Sequence, residues 1–318
     1  MKIAFVGKGG SGKTTLAALF ARSVADARLL ALDADINQHL AVALGATEEQ
    51  AAHLPALGAH LDAIKEYLRG DNPRIASAAA MVKTTPPGRG SRLLPVDEPG
   101  NPLYARLVTE VGGVRLAVTG PFAEADLGVA CYHSKVGAVE LLLNHLVDGP
   151  REYVVVDMTA GADSFASGLF SRFDVTFLVC EPTVRSVGVY RQYVGYAREY
   201  GLTIKVIGNK VEDDADVAFL RAHVGDDLLA RVGRSPYVRA AEKGTVAPLD
   251  RLEPANRAAL AAMRDTVDAA GQDWDRLTRH AREFHRRNAL AWANDRAGTD
   301  LCDQIDPEFV LRPAVPVG

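Results

Sequence analysis

The sequence predicts an α/β fold in which helices flank a doubly wound, mostly parallel β-sheet, with a helical extension at the C-terminal end. Seven apolar runs recur along the chain, each followed by a helical pattern: 2–6, 28–32, 114–119, 153–157, 175–180, 203–208 and 228–232. Near-continuous Val, Leu and Ile runs are typical of strands buried on both faces. Their alternation with helices indicates a parallel sheet. Ligands of such sheets bind beyond the carboxyl ends of the strands, and the polar motifs of this chain fall there.

The first apolar run leads directly into a glycine-rich loop, GKGGSGKTT over residues 7–15. A helical run follows, and this strand–loop–helix context is the one in which a G-x-x-x-x-G-K-[ST] phosphate-binding loop (P-loop) occurs. Glycines let successive backbone N–H groups curl around phosphates, and the helix presents its positive N-terminus to the same anion. We expect the Lys13 ammonium to reach the β- and γ-phosphates of a nucleotide and the Thr14 hydroxyl to ligate Mg²⁺. The predicted nucleotide-binding residues of the loop are Gly7, Lys8, Gly9, Gly10, Ser11, Gly12, Lys13, Thr14 and Thr15.

The composition fits a globular protein and excludes several classes. Of 318 residues, 48% are apolar and 24% charged, and the formal net charge of −4 gives no sign of a polyanion-binding protein. No run of about 20 apolar residues predicts a membrane span, and the chain enters a strand at once, so we expect no signal peptide. The three cysteines, Cys131, Cys180 and Cys302, are too scattered for a disulfide framework. We therefore expect a cytoplasmic protein.

The extra lysine at the second position of the loop, Lys8, gives the motif a resemblance to the deviant Walker A ATPases. That family includes the MinD/ParA partitioning ATPases, the nitrogenase iron protein and ArsA. The resemblance implies an ATPase that binds ATP or ADP with Mg²⁺. It also implies a homodimer in which Lys8 crosses the interface to the nucleotide of the other subunit.

Two aspartate motifs follow apolar runs and resemble the catalytic elements of the same family. In RLLALDADINQH, Asp33 and Asp35 fall on the same side of an ideal strand. The resemblance gives Asp35 the role of orienting the attacking water and gives Asp33 an indirect contact with Mg²⁺. In YVVVDMTAG it implies that Asp157 holds Mg²⁺ through water and that the Gly161 N–H senses the γ-phosphate.

Two further segments resemble the elements that contact the base in this superfamily. Asn209 and Lys210 follow the apolar run 203–208, and the resemblance implies a hydrogen bond from the asparagine to adenine. The stretch SPYVRAAEKG begins at Ser235, and Pro236 would pack on the purine. Adenine over guanine is favoured by the resemblance alone.

Taken together, the motifs look most like CooC-type ATPases, which serve the maturation of nickel carbon monoxide dehydrogenase. That resemblance covers roughly residues 1–265. In those proteins the segment corresponding to GVACYH carries C-x-C, and one metal ion is shared across the dimer axis. Here Cys131 matches the first position and His133 the second. Both side chains are competent ligands of Zn²⁺ and Ni²⁺, so this pair is a candidate metal site; the alternative is a buried cysteine beside a surface histidine. His145, on the following helix, is expected at the surface.

We divide the chain into an ATPase domain over 1–271 and a helical extension with a tail over 272–318. The stretch DWDRLTRHAREFHRRNALAW has apolar residues at helical spacing and five arginines on the remainder, which predicts an amphipathic helix with a basic face. It could pack on its own domain or across a dimer, bind a client protein, or attach to a membrane surface or DNA. A second irregular region, 71–104, is rich in Pro, Gly and Arg and predicts a long, mobile loop near the site.

These observations lead to one function with stated alternatives. The sequence predicts an ATP-hydrolysing dimeric switch that serves metalloprotein maturation or the assembly of a client protein. The alternative is a partitioning or positioning ATPase that acts on DNA or a membrane, although the net charge makes a nucleic-acid partner the weaker expectation. A nucleotide-sensing scaffold without hydrolysis is disfavoured by the two aspartate motifs, and a small-molecule kinase lacks a recognisable substrate site.

Overall fold

The computed structural model describes residues 1–35, 37–121, 132–161, 165 and 168–313, with the backbone alone over 132–135. Within them, eight strands form one sheet in the order β10-β9-β8-β1-β7-β2-β5-β4, and β3 and β6 form a two-stranded sheet. Every pair is parallel except β4 with β5. The strands are β1 (Lys2–Gly7), β2 (Arg28–Ala34), β3 (Leu94–Pro95), β4 (Thr109–Val111), β5 (Val114–Val118), β6 (Leu146–Val147), β7 (Glu152–Met158), β8 (Val175–Cys180), β9 (Thr203–Val211) and β10 (Leu228–Gly233). The predicted α/β class and the mostly parallel sheet are confirmed.

Helices cover both faces of this sheet. They are α1 (Lys13–Ser23), α2 (Leu40–Leu44), α3 (Glu48–Ala52), α4 (Leu61–Arg69), α5 (Pro102–Leu107), α6 (Tyr132–His145), α7 (Val184–Ala197), α8 (Asp214–Val224), α9 (Pro236–Ala241), α10 (Pro254–Ala269), α11 (Trp274–Asn288) and α12 (Asn294–Ala297). In the part of the chain that the structure describes, no helix is long and apolar enough to cross a membrane.

The sheet is buried on both faces because successive side chains of its central strands enter two different cores. In β1, Ile3 and Phe5 join one apolar cluster, whereas Ala4 and Val6 join the other. Phe5 packs against Phe177 of β8, with the ring centroids 5.5 Å apart. This two-sided burial explains the near-continuous apolar runs. It also explains why all seven strands predicted from those runs are present.

The predicted C-terminal helix is α11, and it packs on its own chain. Asp273 caps its first turn by accepting a hydrogen bond from the Arg276 N–H at 2.8 Å. Phe284 stands edge-on to Phe170 at 5.4 Å, and Gly168 lies so close to its ring that a Cβ there would clash with it. Of the alternatives for this helix, intramolecular packing is therefore the one that the structure shows.

Some of the arginines of α11 are also used within the chain. The buried Arg276 donates to the Phe173 carbonyl at 3.2 Å. Arg282 donates to the Phe309 carbonyl, and Arg287 pairs with Glu283. Arg276 and Arg282 thus serve contacts within the fold, whereas Arg287 is exposed and pairs with a neighbour on the same helix.

The region 71–104 is irregular, as expected, but it is packed against the C-terminal residues, in contrast to the mobile loop that the sequence predicted. Thr84 and Thr85 are fully buried. The Thr85 hydroxyl donates to Gln304 at 2.9 Å, and Arg89 pairs with Asp306 at 2.9 Å. The pattern of Pro and Gly indicates correctly that no long helix or strand forms, but it carries no information about the C-terminal residues that cover the segment.

The expectation that His145 lies at the surface is also wrong, because its side chain is fully buried at the end of α6. Its Nδ1–H donates to the Leu141 carbonyl at 3.0 Å, and its Nε2 has no hydrogen-bond partner among the described residues. Burial without a charge partner disfavours the imidazolium, and it lowers the pKa of His145 from 6.5 to about 4.

We therefore expect acid to destabilise the fold through His145. The neutral ring is favoured at high pH, so its stability contribution is complete above about pH 6.5 and is lost as the pH falls toward about 4. The loss at pH 5 should be about 2 kcal/mol of unfolding free energy. Urea unfolding at pH 7.5 and 5.0 measures this loss. The unfolding free energies at the two pH values should differ less in His145→Leu than in the wild type. In His53→Leu, at an exposed histidine, they should differ as in the wild type. An unchanged difference in His145→Leu would contradict the assignment.

Candidate functional site

The glycine-rich loop lies between β1 and α1, at the carboxyl edge of the sheet. Gly10 and Gly12 have φ of +77° and +96°, in the left-handed region that favours glycine. A Cβ on Gly7 would lie 2.5 Å from the Val179 carbonyl oxygen, and one on Gly12 would clash with the side-chain amide of Asn209. These positions need glycine because neighbouring strands approach the loop closely.

The loop ends where α1 begins, so the Lys13 ammonium and the N-terminus of α1 lie together. Lys13, the first residue of α1, is 5% exposed, and Thr14 follows it. The first turn of α1 contains no acidic residue. Its positive N-terminus is therefore not neutralised by its own side chains, which is the arrangement that binds phosphate at helix ends.

Asp33 and Asp157 are cross-strand neighbours at the carboxyl ends of β2 and β7. Both are fully buried. Burial raises the pKa of Asp33 well above its usual value, and the charge of Asp157 raises it further. The oxygens of Asp33 accept hydrogen bonds from the backbone N–H groups of Asp35 at 3.1 Å and Leu40 at 2.9 Å. Asp33 therefore shapes the turn that carries Asp35, a structural role that the motif alone did not indicate.

Asp157 differs from Asp33 because neither of its carboxylate oxygens makes a hydrogen bond of good geometry among the described residues, and the donor that acts on it is the Thr14 hydroxyl. Burial raises the pKa of Asp157 to about 7, and the hydrogen bond from the Thr14 hydroxyl and the charge of Lys13 oppose that rise. A buried carboxylate beside a hydroxyl matches the oxygen donors that Mg²⁺ prefers. The residues present thus fit a magnesium site formed by Thr14 and Asp157.

Asp35 follows β2 and is 9% exposed. Its Oδ1 accepts hydrogen bonds from both the backbone and the side-chain nitrogen of Asn37, each at 3.0 Å. Its charge is near enough to Asp157 to raise the pKa of that carboxyl. The two aspartate motifs, which are far apart in sequence, therefore meet at one edge of the sheet.

Gly161 closes the site from the β7 side. Its N–H donates to the Gly7 carbonyl at 3.1 Å, and its φ is +79°. The predicted γ-phosphate sensor therefore contacts the first glycine of the P-loop. A displacement of Gly161 would therefore break or strain its hydrogen bond to Gly7.

Asn209 and Lys210 lie against the P-loop itself. The Asn209 side-chain nitrogen donates to the Ser11 carbonyl at 2.7 Å, and the Lys210 ammonium donates to the Gly10 carbonyl at 2.7 Å. These contacts were not predicted. The predicted contact of this segment with adenine stays a prediction. The packing of Pro236 on the purine also stays a prediction; Pro236 occupies the first turn of α9, after the Ser235 cap.

Sequence reasoning did not assign a role to Glu181 at the end of β8. Its carboxylate lies 2.7 Å from the Lys210 ammonium and 3.4 Å from the Lys8 ammonium. The sequence feature that could have pointed to Glu181 is an acidic residue at the end of a central strand, followed by proline, in the segment EPTVRS.

The candidate metal pair cannot be placed. Cys131 and the side chain of His133 lie outside the described residues. Among the residues that are described, no group of three or more His, Cys, Asp or Glu side chains is placed to hold a metal ion. A Cys131/His133 site stays a prediction.

Two comparisons of the sequence with known proteins give matches over most of the chain. A family model described as the CobQ/CobB/MinD/ParA nucleotide binding domain matches residues 3–295, a range that extends past the predicted boundary at 271. The carbon monoxide dehydrogenase accessory protein CooC of Rhodospirillum rubrum is 30% identical over 276 residues, covering 84% of this chain and 97% of that protein.

Solved structures agree on the fold. A plasmid partition protein of Borrelia burgdorferi bound to AMPPNP superposes with a TM-score of 0.55 at 12% identity, covering 84% of this chain and 98% of that chain. The septum site-determining protein MinD of Pyrococcus horikoshii, complexed with Mg-ADP, gives a TM-score of 0.53 at 16% identity, with 84% and 96% covered.

Proposed function

Because this chain belongs to the CobQ/CobB/MinD/ParA nucleotide-binding family, we propose that it is a magnesium-dependent ATPase that acts as a cytoplasmic, homodimeric switch. The buried carboxylate of Asp157 beside the Thr14 hydroxyl is the observation that carries the proposal. The Mg-ADP and AMPPNP complexes of the two structural relatives are consistent with it.

Each residue of the site has a step in the proposed reaction. The P-loop amides and Lys13 bind the phosphates and hold the γ-phosphoryl group in place. Thr14 and Asp157 would hold Mg²⁺, which neutralises charge on the phosphate oxygens when bound. Asp35 orients the attacking water, with Asp33 fixing its turn through the backbone. Phosphoryl transfer depends mainly on such positioning and charge stabilisation, so a carboxylate suffices at that position.

The proposed switch uses two residues, Lys8 of the P-loop and Gly161 beside it. Lys8 is proposed to reach the nucleotide of the partner subunit, so that ATP closes the dimer. Gly161, whose N–H now meets the Gly7 carbonyl, is proposed to exchange that contact for the γ-phosphate. Loss of the phosphate on hydrolysis would then reopen the dimer.

For the biological process we propose metalloprotein maturation, supported by the 30% identity to a carbon monoxide dehydrogenase accessory protein. Cys131 and His133 of the two subunits would together supply two thiolates and two imidazoles, a donor set that suits Zn²⁺ and is also competent for Ni²⁺. The client is proposed to be a metalloenzyme. We do not propose attachment of α11 to DNA or a membrane, because Arg276 and Arg282 serve internal contacts and Arg287 is paired with Glu283.

Metal analysis tests this proposal on the intact protein. After loading with Zn²⁺ or Ni²⁺ in the presence of ATP analogue, we expect about one ion per dimer. Cys131→Ala and His133→Ala should each lose that ion, whereas Cys302→Ala, at a cysteine elsewhere in the chain, should keep it. An absence of specific uptake would remove the metal-handling role and leave a protein-assembly ATPase. ATP-dependent dimerisation, followed by sedimentation, tests the switch separately.

A further inference from the structure

The Glu181 carboxylate stands between two lysines at the mouth of the P-loop. It lies 2.7 Å from the Lys210 ammonium and 3.4 Å from that of Lys8. The Glu181 side chain is 16% exposed, against 36% for Lys8 and 41% for Lys210. The carboxylate is thus the shielded centre of the group, and the two lysines are its more accessible partners.

The backbone of Glu181 is fixed at the start of α7. Its backbone N–H donates to the Ser186 hydroxyl in the first turn of α7 at 3.0 Å. The following Pro182 restricts its backbone to extended conformations. Burial alone would raise the pKa of Glu181, but the hydrogen bonds and charges of Lys210 and Lys8 outweigh it and lower that pKa. The carboxylate is therefore charged at neutral pH.

The two lysines are held unequally. Lys210 has a φ of +58°, which is uncommon for a residue with a side chain, and its ammonium also donates to the Gly10 carbonyl at 2.7 Å. Lys8 has the longer of the two contacts with Glu181, and no second hydrogen bond from its ammonium is seen within the described residues. Of the pair, Lys8 is therefore the one that can leave.

We propose that Glu181 is a positioning residue that restrains Lys8 within its own subunit until the nucleotide dimer forms. The proposal rests on the proposed trans role of Lys8. To reach a phosphate of the other subunit, Lys8 must exchange the Glu181 carboxylate for that anion, so the restraint opposes dimerisation. Glu181 remains paired with Lys210 after Lys8 departs, which avoids leaving a half-buried carboxylate unpaired.

The test compares Glu181→Gln with the wild type by two readouts. In the nucleotide-free protein, acylation of Lys8 by an amine-reactive ester is followed by mass spectrometry and normalised to the exposed Lys243. With ATP and Mg²⁺, the dimer dissociation constant is measured by sedimentation. We expect Lys8 to label about two- to fivefold faster, the range of a partly exposed ion pair. Because both subunits lose the restraint, the dimer should tighten by about the square of that factor. Glu212→Gln, which removes a surface carboxylate paired with Arg234, is the matched control and should change neither.

Each other outcome overturns the inference. Unchanged labelling of Lys8 would mean that Glu181 does not restrain it. Faster labelling with an unchanged dimer constant would mean that the restraint does not oppose assembly. Weaker binding of ATP to the Glu181→Gln monomer would place Glu181 in the nucleotide site instead. If the wild type does not dimerise with ATP, the proposed switch fails, and the labelling result still decides whether Glu181 holds Lys8.

Discussion

Replacement of Asp35 by alanine is expected to reduce ATP turnover by at least about a hundredfold while leaving ATP binding intact. We expect turnover to fall because of where the Asp35 carboxylate lies. Asp35 follows the carboxyl end of β2, on a turn that Asp33 holds through two backbone hydrogen bonds. Its carboxylate is oriented by Asn37 and lies beside the predicted magnesium ligand Asp157. Without the Asp35 carboxylate, the water that attacks the γ-phosphate would have no acceptor to orient it. The phosphate-binding groups would remain.

Single-turnover hydrolysis and equilibrium nucleotide binding, measured on the same preparation, check this prediction. The variant should also accumulate as the ATP-bound dimer, because it closes normally and fails to reopen. Asp214→Ala removes a carboxylate that is 97% exposed and should behave as the wild type. Wild-type turnover by Asp35→Ala would remove Asp35 from the reaction and direct attention to another carboxylate.

Replacement of Lys8 by alanine is expected to abolish ATP-dependent dimerisation and to leave nucleotide binding by the monomer nearly unchanged. The two loop lysines have different surroundings: Lys13 is 5% exposed at the start of α1, whereas Lys8 points to the mouth of the loop with 36% of its side chain exposed. A charge-assisted contact contributes about 1.5–3 kcal/mol, and a two-fold dimer loses it twice. The dimer dissociation constant should therefore rise by well over a hundredfold.

Sedimentation with and without ATP measures the dimer, and titration with a fluorescent nucleotide measures monomer binding. Lys243→Ala, at an exposed lysine distant in sequence from the loop, is the control. A dimer that survives in Lys8→Ala would refute the trans role. A large loss of nucleotide affinity would instead mean that Lys8 serves the nucleotide of its own subunit.

The fold could be predicted because its signals are local. The apolar runs and the P-loop are contiguous in sequence, and the carboxyl ends of parallel strands necessarily meet at one edge. That rule was enough to expect Asp35, Asp157 and the P-loop in one place. The short strands β3, β4 and β6 were missed because two or three residues carry no readable alternation.

The parts that could not be predicted depend on contacts between distant residues. The amide of Asn209 against Gly12, and the carboxylate of Glu181 between two lysines, arise only when β8 and β9 are placed beside the loop. The burial of His145 has the same origin. A histidine at the end of a helix gives no sequence sign of what covers it, and nothing in the region 71–104 indicates that residues 304–306 will hold it.

Several segments in the first two thirds of the chain are covered by residues near its C-terminal end, and this has a consequence for biosynthesis. Thr85 and Arg89 find their partners in Gln304 and Asp306, and the aromatic face around Phe170 is covered by Phe284. Ribosomes add about 5–20 residues per second, so these surfaces stay uncovered for many seconds after they are made. The nascent chain therefore passes through a stage with a nearly complete sheet and an open apolar face. During that stage it would be a natural substrate for general chaperones, and stalling before residue 284 would favour aggregation over a soluble fragment.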